Sequence, residues 1–85
     1  MSELKAEVTQ GRPLTFGEKA VGLTFNPGGS MVVNTIKTLY AAVIDELDVA
    51  RKAAESHEAK RMYSVAITEA QTSQMWAVKA ATWKD

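Results

Sequence analysis

Apolar positions along this chain change their spacing once, and the change falls just after Ser30. Beyond it Ile36, Tyr40, Val43, Leu47, Ala50 and Ala54 recur at alternating steps of four and three, the period of one helical face. Leu39 and Ile44 lie beside that stripe and widen it. Asp45, Glu46 and Asp48 fall outside it and are expected in solvent, while Arg51 and Lys52 occupy late turns, where cations suit the helix dipole. The pattern predicts a helix from Met31 to about Glu55, roughly 37 Å long. Ser56 is the expected N-cap of a second helix running from His57 to Thr82. One stripe of that helix is Met62, Val65 or Ala66, Ala70, Ser73, Ala77 and Ala80; a second, partly rotated, is Ile67, Ala70, Gln74, Val78 and Ala81. Trp76 and Trp83 stand one heptad apart near the same side. From Met75 onward apolar residues wrap more of the circumference than one partner helix can cover, and Ala66, Ala70, Ala77, Ala80 and Ala81 would let further helices approach closely.

Ahead of Met31 the pattern is different. Residues 1–10 are polar with Leu4, Ala6 and Val8 scattered among them, which fits either a frayed helix or an arm laid across a neighbour. Gly11-Arg12-Pro13 breaks that segment. Thr15 and Glu18 form a capping-box pattern that starts a short helical turn through Lys19-Ala20-Val21, ended by Gly22. Leu23-Thr24-Phe25 reads as extended. In Phe25-Asn26-Pro27-Gly28-Gly29-Ser30, Pro27 pushes Asn26 out of the α region, two glycines free the backbone, and Ser30 caps the helix at Met31. This is either a turn and a cap, or a place where a ring, a carboxamide and helix-start N–H groups hold an anion or a flat ring.

The expected architecture is therefore all-α. Residues 1–30 form a lead with a short helix and a ligand-side turn, and residues 31–85 form a two-helix antiparallel hairpin. Such a hairpin has a thin core, since chains of this size rarely gain more than about 3–5 kcal/mol from one. The 85 residues include no cysteine, so neither a disulfide nor a Cys-containing zinc site adds to it. Association remains, and a homo-oligomer closed by symmetry is expected over a three-helix monomer that uses residues 1–10. Ten basic residues balance ten acidic ones, which argues against a nucleic-acid polymer or an anionic membrane as partner. No run is long enough to span a bilayer, and the N-terminus lacks a signal-peptide pattern.

No catalytic set is visible. His57 is the single histidine and has no second histidine to share a metal, no serine has the His–Asp pair that would activate it, and no phosphate loop occurs. Neither metal nor cofactor is expected. Binding groups are better represented. Lys37 lies among Ile36, Leu39 and Tyr40, where its stem either snorkels to water or, in a symmetric pair, faces a phosphate-bearing ligand. Phe25 and Tyr40 offer rings for a base to stack on, and Arg12, Lys19 and Arg61 are further candidate phosphate contacts. The polar run Thr68–Gln74 is either a seam that fixes helix register or the lining of a small-molecule pocket.

Val21-Gly22-Leu23-Thr24-Phe25-Asn26-Pro27, Val33-Asn34-Thr35-Ile36-Lys37, Ala66-Ile67-Thr68 and Gln74-Met75-Trp76-Ala77-Val78-Lys79-Ala80 together resemble a phage hairpin-domain family. That family contains the anti-CBASS and Thoeris-antidefence sponges, and the resemblance runs from about Thr15 to Trp83. It implies a small helical protein that assembles, commonly as a hexamer, in the cytoplasm of an infected bacterial host. It further implies a protein that sequesters cyclic nucleotide messengers without cleaving them. Cyclic dinucleotides would lodge between protomers, at positions matching Phe25, Asn26 and Pro27 with Lys37; cyclic trinucleotides and cyclic ADP-ribose isomers are further ligands of the family. The anti-CBASS branch often carries Gly-Tyr-Arg at the turn, whereas the phenyl ring of Phe25 stacks without a hydroxyl to donate. A homo-oligomeric helical module whose partner is another protein is the alternative reading.

Overall fold

A computed structural model describes residues 11–85, so both readings of residues 1–10 lie outside the described residues. Three helices follow in order: α1, Phe16–Ala20; α2, Met31–Ala53; and α3, His57–Ala81. No strand occurs among the described residues, and α2 and α3 form the hairpin that their periodicity predicts. α2 stops two residues short of Glu55, and α3 ends at Ala81 with Thr82 as its C-cap.

The short helix is built by its two ends. At the start, Thr15 Oγ1 accepts from the N–H of Glu18 while the Glu18 carboxylate accepts from the N–H of Thr15 at 2.8 Å, so the capping box closes in both directions. At the finish, Gly22 takes φ +62°, a conformation that a side chain would oppose. Its N–H bonds the carbonyl of Lys19, and that of Leu23 bonds the carbonyl of Glu18. These are the paired bonds of a Schellman ending, and they turn Leu23 inward until it is fully buried.

α1 lies on α2 with almost no space between the backbones. A Cβ at Gly17 would stand 2.1 Å from the carbonyl oxygen of Ala41. Asp45 completes the contact: its carboxylate accepts from the N–H of Gly17 at 2.7 Å and from the Thr15 hydroxyl at 2.8 Å. A carboxylate is favoured there, where α1 presents its first N–H groups. Asp45 was expected in solvent and is instead the anchor of α1. Asp48 also departs from expectation, being buried between Arg51 (2.7 Å) and Lys52 (3.0 Å). Arg51 continues across the hairpin to the Ser64 hydroxyl, and its guanidinium stands 5.6 Å from the centre of the Phe16 ring.

These contacts rotate the buried face of α2. Val33, Lys37, Ala41, Ile44 and Asp48 face inward, whereas Val43 of the expected stripe and neighbouring Leu39 are exposed. The reason is that α2 must cover α1 as well as α3, and a helix serving two partners turns the bisector of its contacts inward. The core is correspondingly small: Val21, Leu23, Ala41, Ile44 and Ile67, with Ala20, Tyr40, Leu47 and Ala70 packed against it.

Glu18 makes α1 sensitive to acid. Its side chain is 11% exposed, and the forked hydrogen bond from Arg12, then the Thr15 N–H, hold its pKa down from 4.5 to about 2. A lowered folded-state pKa stabilises fully above pH 4.5, and that contribution is lost as pH falls towards 2. The urea midpoint is therefore expected to drop between pH 5 and pH 2.5, and Glu18→Gln should flatten that limb while lowering the midpoint at pH 7.

Candidate ligand site

Two consecutive turns carry the chain from α1 to α2. The Phe25 N–H bonds the Gly22 carbonyl at 2.9 Å, and the Gly29 N–H bonds the Asn26 carbonyl at 2.9 Å. Pro27 occupies the first central position of the second turn, where its fixed φ is suitable, and Gly29 closes it at φ +65°. The Asn26 carboxamide brackets Ser30, donating to its carbonyl at 2.8 Å and accepting from its N–H at 3.2 Å. Ser30 Oγ in turn accepts from the N–H of Val33, starting α2. Asn26 thus holds the turn against the helix it introduces.

Lys37 ties the same turn down from the other side. It lies two turns into α2, buried to 5% exposure, and its ammonium donates to the carbonyls of Gly22 (2.9 Å) and Phe25. The Phe25 ring centre is 5.5 Å from that nitrogen, close enough for cation–π attraction. Lys37 neither snorkels to water nor stands clear of the protein. It is a fixed positive charge beneath a phenyl ring that is itself 71% exposed.

Above them opens a hollow of about 320 Å³, lined by Phe25, Asn26, Pro27, Gly28, Ser30, Val33 and Lys37 and closed on the far side by Val78 and Thr82 of α3. The antiparallel hairpin brings the last turn of α3 beside the first turns of α2, which is how residues so distant in sequence come together. The spacing of Val78 marks it only as one member of a helical stripe. Its place at the hollow follows once the hairpin is closed, and Thr82 is legible only as the expected end of the second helix.

The structure separates the remaining candidates from this group. Tyr40 is half-buried and shares a hydrogen bond with Ser73 across the hairpin. Arg12 is engaged with Glu18, and Arg61 with Glu58 in the first turns of α3, at the opposite end of the hairpin. Lys19 is exposed on α1. None of these lines the hollow. In the polar run, the Thr68 and Thr72 hydroxyls bond back to carbonyls one turn earlier, Ser73 meets Tyr40, and Gln74 is buried. Ala70, Ser73 and Gln74 border the hairpin seam, Glu69 and Thr72 face solvent, and none of the run lines the hollow.

Asn34, one turn before Lys37, is a further feature that spacing does not reveal. It is 5% exposed, and neither atom of its carboxamide has a hydrogen-bond partner among the described residues. Such groups are rare, because burying an amide unpaired costs about 1–3 kcal/mol.

A family profile described as Acb2/Tad1, hairpin domain, matches residues 18–82. That span begins in α1 and includes the turn, Lys37 and the end of α3. No curated protein and no solved structure gives a significant match.

Proposed function

Because the chain belongs to the Acb2/Tad1 hairpin-domain family, we propose that it is a phage anti-defence sponge that binds cyclic nucleotide messengers and holds them intact. The observation that carries the reading is the hollow at the turn, where an open ring, a fixed ammonium and a helix start converge. The ring offers a stacking face for a base, and the ammonium offers a positive potential for phosphate. Both are already ordered by the turn, so a ligand loses little to their immobilisation.

Ligand pockets for molecules of drug size hold roughly 300–1,000 Å³, which puts the hollow of about 320 Å³ at the small end. A cyclic dinucleotide would fill it and protrude, so the site is shared between protomers of a homo-oligomer, with a hexamer as the family's common form. Phe25, Asn26, Pro27 and Lys37 are the contacts proposed for it, with Asn26 and Pro27 acting through the shape of the turn. The protein performs no chemistry on its guest and acts in the cytoplasm of the infected host.

One observation favours the other reading, a helical module with a protein partner. The ammonium of Lys37 already has two backbone acceptors, as a purely structural lysine would. Calorimetric titration with cyclic di- and trinucleotides and cyclic ADP-ribose isomers decides between them. Tight binding is expected for at least one ligand, followed by recovery of the unaltered molecule after denaturation. Recovery of a linear or hydrolysed product would exclude sequestration, and silence across the panel would favour the module. Phe25→Ala should weaken purine-containing ligands by about 1–3 kcal/mol, the range for one stacked base.

A further inference from the structure

α3 carries a second stripe, part apolar and part charged, on a solvent-exposed side. Met62, Val65, Glu69, Thr72, Trp76 and Lys79 follow one another along α3 at steps of three and four, and Trp83 stands four residues on, just beyond the Thr82 C-cap. All are exposed, Trp76 and Trp83 by more than 60%. The inward face of α3 is a different set that includes Ile67 and Gln74. Four of the seven, Met62, Val65, Trp76 and Trp83, are apolar, and apolar residues at three–four spacing are those by which one helix packs along another.

The charges on the stripe identify what it packs against. Glu69 lies five residues before Gln74 and Lys79 five residues after it. Thr72 and Trp76 lie two residues to either side, and Val65 and Trp83 nine. The stripe is therefore complementary to its own reversed copy. We propose that α3 pairs antiparallel with α3 of a second copy, about a twofold axis at the level of Gln74 on the side away from its side chain. Glu69 of each subunit meets Lys79 of the partner subunit, and Val65 of each meets Trp83 of the partner subunit.

The surface is shaped for that contact. Lys79 Nζ stands 5.2 Å from the centre of the Trp76 ring and 5.9 Å from that of Trp83. The two indoles, Lys79 and Ala80 line a shallow, open hollow of about 420 Å³. The twofold operation delivers Val65 and Glu69 of the partner subunit to that hollow, an apolar knob beside a carboxylate, as the two indoles and the ammonium require. Neither Glu69 nor Lys79 takes part in an ion pair within the described residues of one protomer. A parallel pairing would set glutamate against glutamate and lysine against lysine, which the same charges oppose. Each contact occurs twice by symmetry, so a change in one residue acts twice.

The inference rests on the oligomer of the reading above but not on its ligand, so the test contains no nucleotide. Sedimentation of the full chain at micromolar concentration is expected to show an assembly. Glu69→Lys and Lys79→Glu should each reduce its mass by half or more, raising the dissociation constant at least tenfold with helicity by circular dichroism unchanged. The double exchange, Glu69→Lys with Lys79→Glu, restores the opposite charges at both sites and should return the wild-type mass. Single variants that leave the mass intact, or a double variant that stays dissociated, would overturn the antiparallel seam while leaving an oligomer of another geometry standing. A wild-type chain that sediments as a monomer would overturn both. A monomer would also remove the shared ligand site of that reading, whereas dissociation of the single variants leaves the ligand reading to its own titration.

Discussion

Gly17→Ala is expected to destabilise the protein by about 3 kcal/mol or more, the upper range for forcing an atom into a packed contact. For a chain of this size that lowers the melting temperature by roughly 15 °C at fixed protein concentration. The cause is local and has no soft exit. The added carbon would lie 2.1 Å from the Ala41 carbonyl oxygen and 2.9 Å from its carbon, both backbone atoms of a continuous helix. α1 must lift, and lifting it stretches the bonds from Asp45 to Gly17 and Thr15. Val21 and Leu23 follow α1 out of the core, and the turn that holds Phe25 is attached to them. Ligand binding should therefore fall together with stability. Gly28→Ala is the control, since nothing lies within 4 Å of a Cβ there and its φ is not positive. It should change stability by no more than about 0.5 kcal/mol. Equal melting temperatures for the two variants would show that α1 does not sit on α2 as described.

Lys37→Met is expected to lower stability by about 2–3 kcal/mol, the upper range for a hydrogen bond to a charged group, and to weaken cyclic nucleotide binding by a further 1.5–3 kcal/mol or so. Methionine keeps the length and apolar character of the stem, so the packing loss is small. What disappears is the ammonium, leaving the Gly22 and Phe25 carbonyls without their donor and the Phe25 ring without its cation. Chemical denaturation reads the first effect and calorimetry the second. A stability loss with unchanged affinity would make Lys37 a structural tie alone; unchanged stability would contradict the geometry of the turn. Because the tie shapes the turn, Phe25→Ala, which removes the ring and leaves both backbone bonds in place, is the cleaner probe of ligand contact.

How much of this was legible beforehand depends on the range of each interaction. The caps at Thr15, Ser30 and Ser56 and the ending at Gly22 were readable because a cap is a contract between residues three to five apart, and nothing distant is needed to fulfil it. The two long helices were readable for a similar reason, since their period is a local property and no glycine or proline interrupts them. The turn residues and Lys37 could be named as candidates because an apolar neighbourhood makes a lysine conspicuous, but the direction of its ammonium could not. That direction depends on carbonyls twelve and fifteen residues away.

The errors share one cause. Asp45 and Asp48 look like a solvated face because a carboxylate at helical spacing carries no sign of a helix packed across it. Asp45 is claimed by the start of α1, 28 residues earlier, and Asp48 is enclosed as Arg51 reaches over to Ser64. Val43 is exposed for the same reason, since periodicity gives the width of an apolar stripe but not which edge of it a second partner will take. The chain by itself thus determined where its helices begin and end and that they form a hairpin, since those outcomes depend on neighbours along the backbone. Tertiary packing alone decided which face of α2 turned inward, that Gly17 had to be a glycine, and that Val78 and Thr82 would stand beside Phe25, because each of these is settled by atoms that meet only after the chain has folded back on itself.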